Sequence, residues 1–220
     1  MNSQLGSSAL DLICCQEVFS AVDYTIGTEK YLKKELALPS FYFPSRKKER
    51  LVNGSKILSF SGLCIFTNLP VLKEEKIYLS THIEDGERTA QLLTIKKEGK
   101  TIAIVNTHLT HLRNESELRC QQMHEILRYI NFDAYDIVLI CGDLNDTPNS
   151  KTITTLTENY SFKPALKSYP PTMGNRCIDY MFYRSKVALD ILEAKLILNK
   201  ASEEGIFPSD HFGILATFKL

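Results

Sequence analysis

The stretch Ile137-Val-Leu-Ile-Cys-Gly-Asp-Leu-Asn-Asp-Thr-Pro148 sets the fold class. Its first five residues are apolar without interruption, the pattern of a short strand covered on both faces inside a layered fold. Gly142-Asp143-Leu144-Asn145 follows at once, and Pro148 closes a turn-prone segment. Polar side chains directly beyond a buried strand sit where loops on a rigid scaffold usually present functional groups.

The arrangement recurs along the chain. The apolar run 10–15 leads to Gln16-Glu17, and the run 102–105 leads to Asn106-Thr107-His108-Leu109. Ser209-Asp210-His211 stands just before the last run, 214–218, and Asp179 opens the run 180–183. Further strand-length runs at 41–43, 63–67, 77–79, 92–95 and 188–198 make strands the dominant element. Asn53-Gly54, Asp85-Gly86 and Glu98-Gly99 read as hairpin turns between them.

Helices are few. Thr28 is placed to cap one running to about Leu38, with Tyr31, Leu32, Glu35 and Leu36 at helical spacing and Lys33 and Lys34 toward water. Asn114 with Glu117 has the form of a capping box, and Leu118, Met123, Ile126, Leu127 and Ile130 then share one face. Asn149 and Ser150 can start a third, shorter helix.

With 220 residues, 44% hydrophobic and 24% charged, the chain suits a single domain over 1–220 and excludes collagenous or disordered classes. Twenty-six basic against twenty-six acidic residues leave no net charge, so a polyanion has to be held locally. The one basic cluster is Arg46, Lys47, Lys48 and Arg50, after the aromatics Phe41, Tyr42 and Phe43, and it reads as part of a solvated loop over 40–56. No apolar stretch is long enough to span a bilayer. The start of the chain lacks the layout of a signal peptide, and the six cysteines form no C-x-x-C pair. Reduced thiols in a cytoplasmic monomer are the expectation. His111, His82 and His124 are expected to be structural or loop residues.

The motifs together resemble the endonuclease/exonuclease/phosphatase superfamily, the DNase-I-like metal-dependent phosphohydrolases. The resemblance rests on Gly-Asp-Leu-Asn-Asp-Thr-Pro at 142–148, Asn-Thr-His-Leu at 106–109, Ser-Asp-His-Phe-Gly at 209–213, Ser61-Gly62-Leu63 leading into a strand, and Gln16-Glu17. It implies a four-layer α/β sandwich with two facing mixed β-sheets and helices outside. It also implies a metal-dependent hydrolase of phosphoester bonds, a phosphodiesterase in which Mg²⁺ or Mn²⁺ assists in-line attack by water. By that resemblance Glu17 and Asp210 are metal carboxylates, and Asp143 orients or deprotonates the water. Asn145 and His108 touch phosphate, and Asp179 holds His211, which either donates to a nonbridging oxygen or serves as the base in place of Asp143. Arg46 is expected to bind substrate, which can be nucleic acid, nucleotide, inositol phosphate or phospholipid head group.

Two other readings compete: a non-catalytic binding protein on the same scaffold, and a sphingomyelinase-type phospholipase C. The family pattern also includes an opening strand that ends in a metal-binding Asn, well ahead of the Gln-Glu motif. Sixteen residues precede Glu17 and the polar stretch around Asn2 has no apolar run behind it, so no role passes to Asn2. Weak metal binding and slow turnover are the consequence expected for the chain as given.

Overall fold

The computed structural model describes residues 10–220; Asn2 lies outside the described residues. A six-stranded sheet forms the centre, ordered β4-β5-β6-β7-β9-β8. Its strands are β4 (Val71–Leu79), β5 (Arg88–Lys97), β6 (Lys100–His108), β7 (Ile137–Asp143), β8 (Lys163–Pro164) and β9 (Asp179–Ser185). The sheet is mixed, because β6 and β7 run parallel while the other neighbours are antiparallel. Facing it are β1 (Leu12–Ala21), β2 (Ser40–Val52) and β3 (Ser55–Thr67), ordered β1-β3-β2, and the separate pair β10 (Asp190–Ile197) and β11 (Gly213–Lys219). These facing strands pair antiparallel throughout.

Period-two alternation separates the layers. Leu93, Ile95, Ile102 and Ile104 point toward the facing sheet and meet Ile65, Leu12, Cys14 and Phe41. Their sequence neighbours Leu92, Ala103 and Val105 point the other way and pack on Met123, Ile126 and Leu127 of α2 (Ser116–Tyr129). Ile153, from the short α3 (Lys151–Thr154), joins the same core. On the far side, Leu32 of α1 (Thr28–Leu36) covers Val18, Cys64 and Phe66. Helix, sheet, sheet and helices thus form the four-layer sandwich. The strand 137–143 is buried along nearly its whole length, as its unbroken apolar run requires. β1 is only half-buried over its first residues, being paired through one edge among the described residues.

Local structure departs from the sequence reading in four places. The basic cluster is not in a loop: Arg46 to Arg50 lie inside the thirteen-residue strand β2, whose ladder to β3 slips between Phe43 and Arg46. Pro44 has no backbone donor and sits at that slip, where a missing ladder bond costs nothing. Gly62 makes room for it, since a Cβ there would stand 2.3 Å from the Phe43 carbonyl oxygen. Asp85-Gly86 is part of a longer connection from Leu79 to Arg88 rather than a two-residue hairpin, whereas Asn53-Gly54 and Glu98-Gly99 do close hairpins with both residues at positive φ. Neither Thr28 nor Asn114 caps a helix. Gly27 and Glu115 occupy the N-cap positions without side-chain caps, and α1 ends at Leu36 because Ala37 turns left-handed. Ser150 does cap α3, its hydroxyl accepting from the Ile153 amide.

Candidate active site

Strand register alone assembles the centre of the site. His108 lies opposite Asp143 in the parallel β6–β7 pair, and Asp143 lies opposite Asp179 in the antiparallel β7–β9 pair. Three chemically active side chains therefore stand in one row across adjacent strand ends. Gly142 permits this: its φ is +143°, and a Cβ there would lie 1.9 Å from the Thr107 carbonyl oxygen. Any other residue would push β7 away from β6 at the point where His108 meets Asp143.

Short bonds fix the row. His108 Nε2 lies 3.5 Å from an Asp143 carboxylate oxygen. The Asn145 amide donates to the other oxygen at 2.8 Å, and the Asn145 side chain donates to the Leu109 carbonyl at 3.2 Å. That leaves one carboxamide hydrogen of Asn145 for a ligand. Asn145 takes a positive φ of 51°, which Asn tolerates better than most residues. Asp179 pairs with His211 Nδ1 at 2.9 Å and accepts from the Thr172 hydroxyl at 2.6 Å.

Electrostatics differentiate these groups. Burial, reinforced by the Asp179 charge, pushes the Asp143 carboxyl up to about 7. The hydrogen bond to Asp179 lifts the His211 imidazole to about 9 against the opposing effect of burial. His108 goes the other way, held well below the usual imidazole range by burial and then by Arg88. At neutral pH His211 is a cation and His108 is neutral.

Glu17 is exposed at positive φ where the β1 ladder slips between Cys15 and Val18. That slip is pinned from the central sheet. Asn106, fully buried, donates to the Cys15 and Cys64 carbonyls and accepts from the Gln16 side chain at 2.7 Å. Glu17 lines one recess with His108 and Arg46, and Asp210 is exposed beside His211. Neither belongs to the tightest group of acid and imidazole donors among the described residues, Asp143, Asp179 and His211, whose ligand atoms lie within 4.8 Å of one another. Two carboxylates crowded beneath low-dielectric surroundings, one with its ionisation suppressed, are a donor set that a hard divalent cation would relieve.

Two features of the site escaped the sequence reading. His111 is not an idle loop residue: its Nδ1 lies 2.7 Å from the buried Asp85 carboxylate. The same carboxylate takes Nε and Nη2 of Arg88 at 2.8 and 2.6 Å, and Arg88 Nη1 donates to the His108 carbonyl at 3.3 Å. The Asp85-x-x-Arg88 spacing was the only sequence signal for it. Asp146, the second acid of the Gly-Asp-Leu-Asn-Asp motif, is structural. It accepts from Thr152 at 2.8 Å and from Ser116 at 3.2 Å, tying α2 and α3 to the loop that carries Asn145.

The sequence profile of the Endonuclease/Exonuclease/phosphatase family matches residues 3–211, and the chain belongs to that family, a class of hydrolases acting on phosphoester bonds. No curated protein matches it in sequence. Its fold is similar to that of the human Nocturnin catalytic domain with bound sulfate anion, at 22% identity and a TM-score of 0.71 over 95% of this chain and 80% of that one. An endonuclease/exonuclease/phosphatase from Beutenbergia cavernae aligns with a TM-score of 0.76 and 18% identity over 96% of this chain and 63% of that one. D. rerio TDP2 complexed with single strand DNA product gives 0.68 and 19% over 96% and 86%.

Proposed function

We propose that the protein is a divalent-metal-dependent phosphodiesterase. The observation that carries this reading is the row of His108, Asp143 and Asp179 with His211 at its end, in which a carboxyl pushed up to about 7 stands near an imidazolium held up to about 9. A base needs a pKa near the working pH, and Asp143 has it. His211 already carries its proton, which supports Asp143 rather than His211 as the group that takes the proton of the attacking water. His211 donates to a nonbridging phosphate oxygen from Nε2, because Nδ1 is committed to Asp179. Asn145 offers its remaining amide hydrogen to the same phosphate, and neutral His108 borders it from β6.

Glu17 and Asp210 are the proposed metal ligands, and the neighbouring carboxylates of Asp143 and Asp179 are the competing set. When bound, Mg²⁺ or Mn²⁺ supplies charge neutralisation to the phosphate and its leaving oxygen. Titration calorimetry separates the two sets: loss of affinity in Glu17→Gln supports the first, and loss in Asp143→Asn alone supports the second.

Support for a polyanionic substrate comes from the half-buried cations of β2, and the single strand DNA product bound by the TDP2 relative points the same way. Nucleotides, inositol phosphates and phospholipid head groups share the chemistry. A single domain over 1–220, the monomeric state and cytoplasmic location are part of the proposal, the last supported by six unpaired thiols. Among the described residues no helix is long and apolar enough to cross a membrane. The decisive test is hydrolysis of bis(p-nitrophenyl) phosphate with Mg²⁺ or Mn²⁺. Asp143→Asn should lower the rate by about 10²–10⁴, the range of a general base. Hydrolysis of neither this nor any phosphomonoester would leave the binding-protein reading in its place.

A further inference from the structure

Two polar side chains of α2, Arg119 and Gln122, are buried beside the apolar Met123, Ile126 and Leu127. Groups of this kind stay inside only where partners are fixed for them. Their partners are the backbone of residues 109–112, the connection that directly follows His108. Gln122 accepts from the Thr110 amide at 3.0 Å and donates to the Ser80 carbonyl at 2.6 Å. Arg119 Nη1 donates to the Leu112 carbonyl at 2.7 Å and to the Thr110 carbonyl at 3.3 Å.

The same guanidinium also reaches the segment that follows Asp143. Its Nε lies 3.3 Å from the Asp146 carboxylate. Asn145 therefore stands between two anchors of one side chain: its backbone runs into Asp146, and its carboxamide donates to the Leu109 carbonyl, next to Thr110. The Leu109 amide closes the arrangement by donating to the Asp143 carbonyl at 3.0 Å. A guanidinium holds its donors in one rigid plane, so a single group here sets the spacing of both segments. Arg119 is 5% exposed, too deep to meet a substrate itself.

We infer that Arg119 is a positioning residue for the hydrolysis, holding residues 109–112 against residues 143–146 so that the remaining carboxamide hydrogen of Asn145 points at the phosphate. The inference rests on the phosphoesterase reading, in which Asn145 touches phosphate, and adds the residue that aims it. A purely structural Arg119 would fasten α2 to the sheet and act on turnover only through stability.

The test is a double-mutant cycle read in hydrolysis of bis(p-nitrophenyl) phosphate with Mg²⁺. Asn145→Gly removes the donor and tolerates the positive φ. Arg119→Lys keeps the charge, but its single nitrogen cannot span both segments. Arg119→Lys should lower kcat by about 10- to 10²-fold, the scale of a slightly misplaced group, with KM nearly unchanged. Repeated in the Asn145→Gly background, it should cost little more, because residues that act as a unit are not additive. Ile126→Val, a core change in the same helix, controls for lost stability and should keep the wild-type kcat. Full additivity of the two substitutions, or an equal loss of kcat in Ile126→Val, would overturn the inference. If Arg119→Lys does not fold, Asp146→Asn, which weakens the same grip from the other side, takes its place in the cycle. Should wild-type protein hydrolyse nothing, the phosphoesterase reading fails separately. NMR hydrogen exchange of the Asn145 side-chain amide then decides: exchange about tenfold faster in Arg119→Lys retains the positioning role, and an unchanged rate removes it.

Discussion

Asp143 and His211 carry opposite assignments within one small volume: burial is the first cause of the Asp143 shift, and Asp179 acts on both groups. Its charge helps hold the Asp143 proton on and fixes the His211 proton in place. Turnover should therefore rise as pH passes about 7, when Asp143 ionises, and fall near 9, when His211 loses its proton. A rate profile flat across that interval would contradict the assignment. The same shifts bear on metal-free stability. A carboxyl raised above its unfolded value and a raised imidazole both stabilise at low pH, and both contributions are lost with rising pH, through about 7 and about 9 respectively. Thermal melting of the metal-free protein should decline from pH 5 to 9, and a divalent cation should restore most at the upper end. Asp179→Asn should cost on the order of 10²–10³ in turnover, the size of a lost transition-state donor, and return His211 toward its ordinary titration, visible by NMR. Normal turnover in that variant would break the pairing.

Two residues govern how strands meet, and their effects belong to the elements. Gly142→Ala would drive a methyl group into the Thr107 carbonyl and part β6 from β7. The expected loss, about 3 kcal/mol or more, places it among the severe substitutions and is measured by denaturant unfolding. Asn106→Leu would strip partners from the Cys15 and Cys64 carbonyls and from Gln16, and should cost about 1–3 kcal/mol for each polar group left buried and unpaired. Because Asn106 pins the slip from which Glu17 emerges, the same variant should bind Mg²⁺ more weakly than its residual stability explains. Metal affinity equal to wild type would mean that β1 holds Glu17 unaided.

Across the whole molecule, the inter-sheet core and the helix-side core share the central sheet, each on one face. Neither face can lose its cover without exposing strands that the other still needs. Chemical unfolding should accordingly run as one transition seen alike by circular dichroism and fluorescence. Two separated transitions would divide the chain into more than one domain.

Some of this was legible in the chain alone, because it depends on local order. Unbroken apolar runs ending in polar clusters determine covered strands with functional ends, and the helix over 116–129 follows from spacing that puts Met123, Ile126 and Leu127 on one face. Motif order was sufficient to identify the family and to nominate His108, Asp143, Asn145, Asp179 and His211. What tertiary structure decided depends on register and on contacts between distant segments. The Arg46 to Arg50 cluster looks like a solvated loop in sequence because Pro44 and repeated charges obscure a strand, and only the ladder with β3, opened by Gly62, reveals it. His111 has no local pattern that would couple it to Asp85, which arrives from a different connection. Proton distribution in the row was equally beyond the sequence, for it is set by burial and by the distance of Asp143 from Asp179, and both exist only after β6, β7 and β9 have aligned.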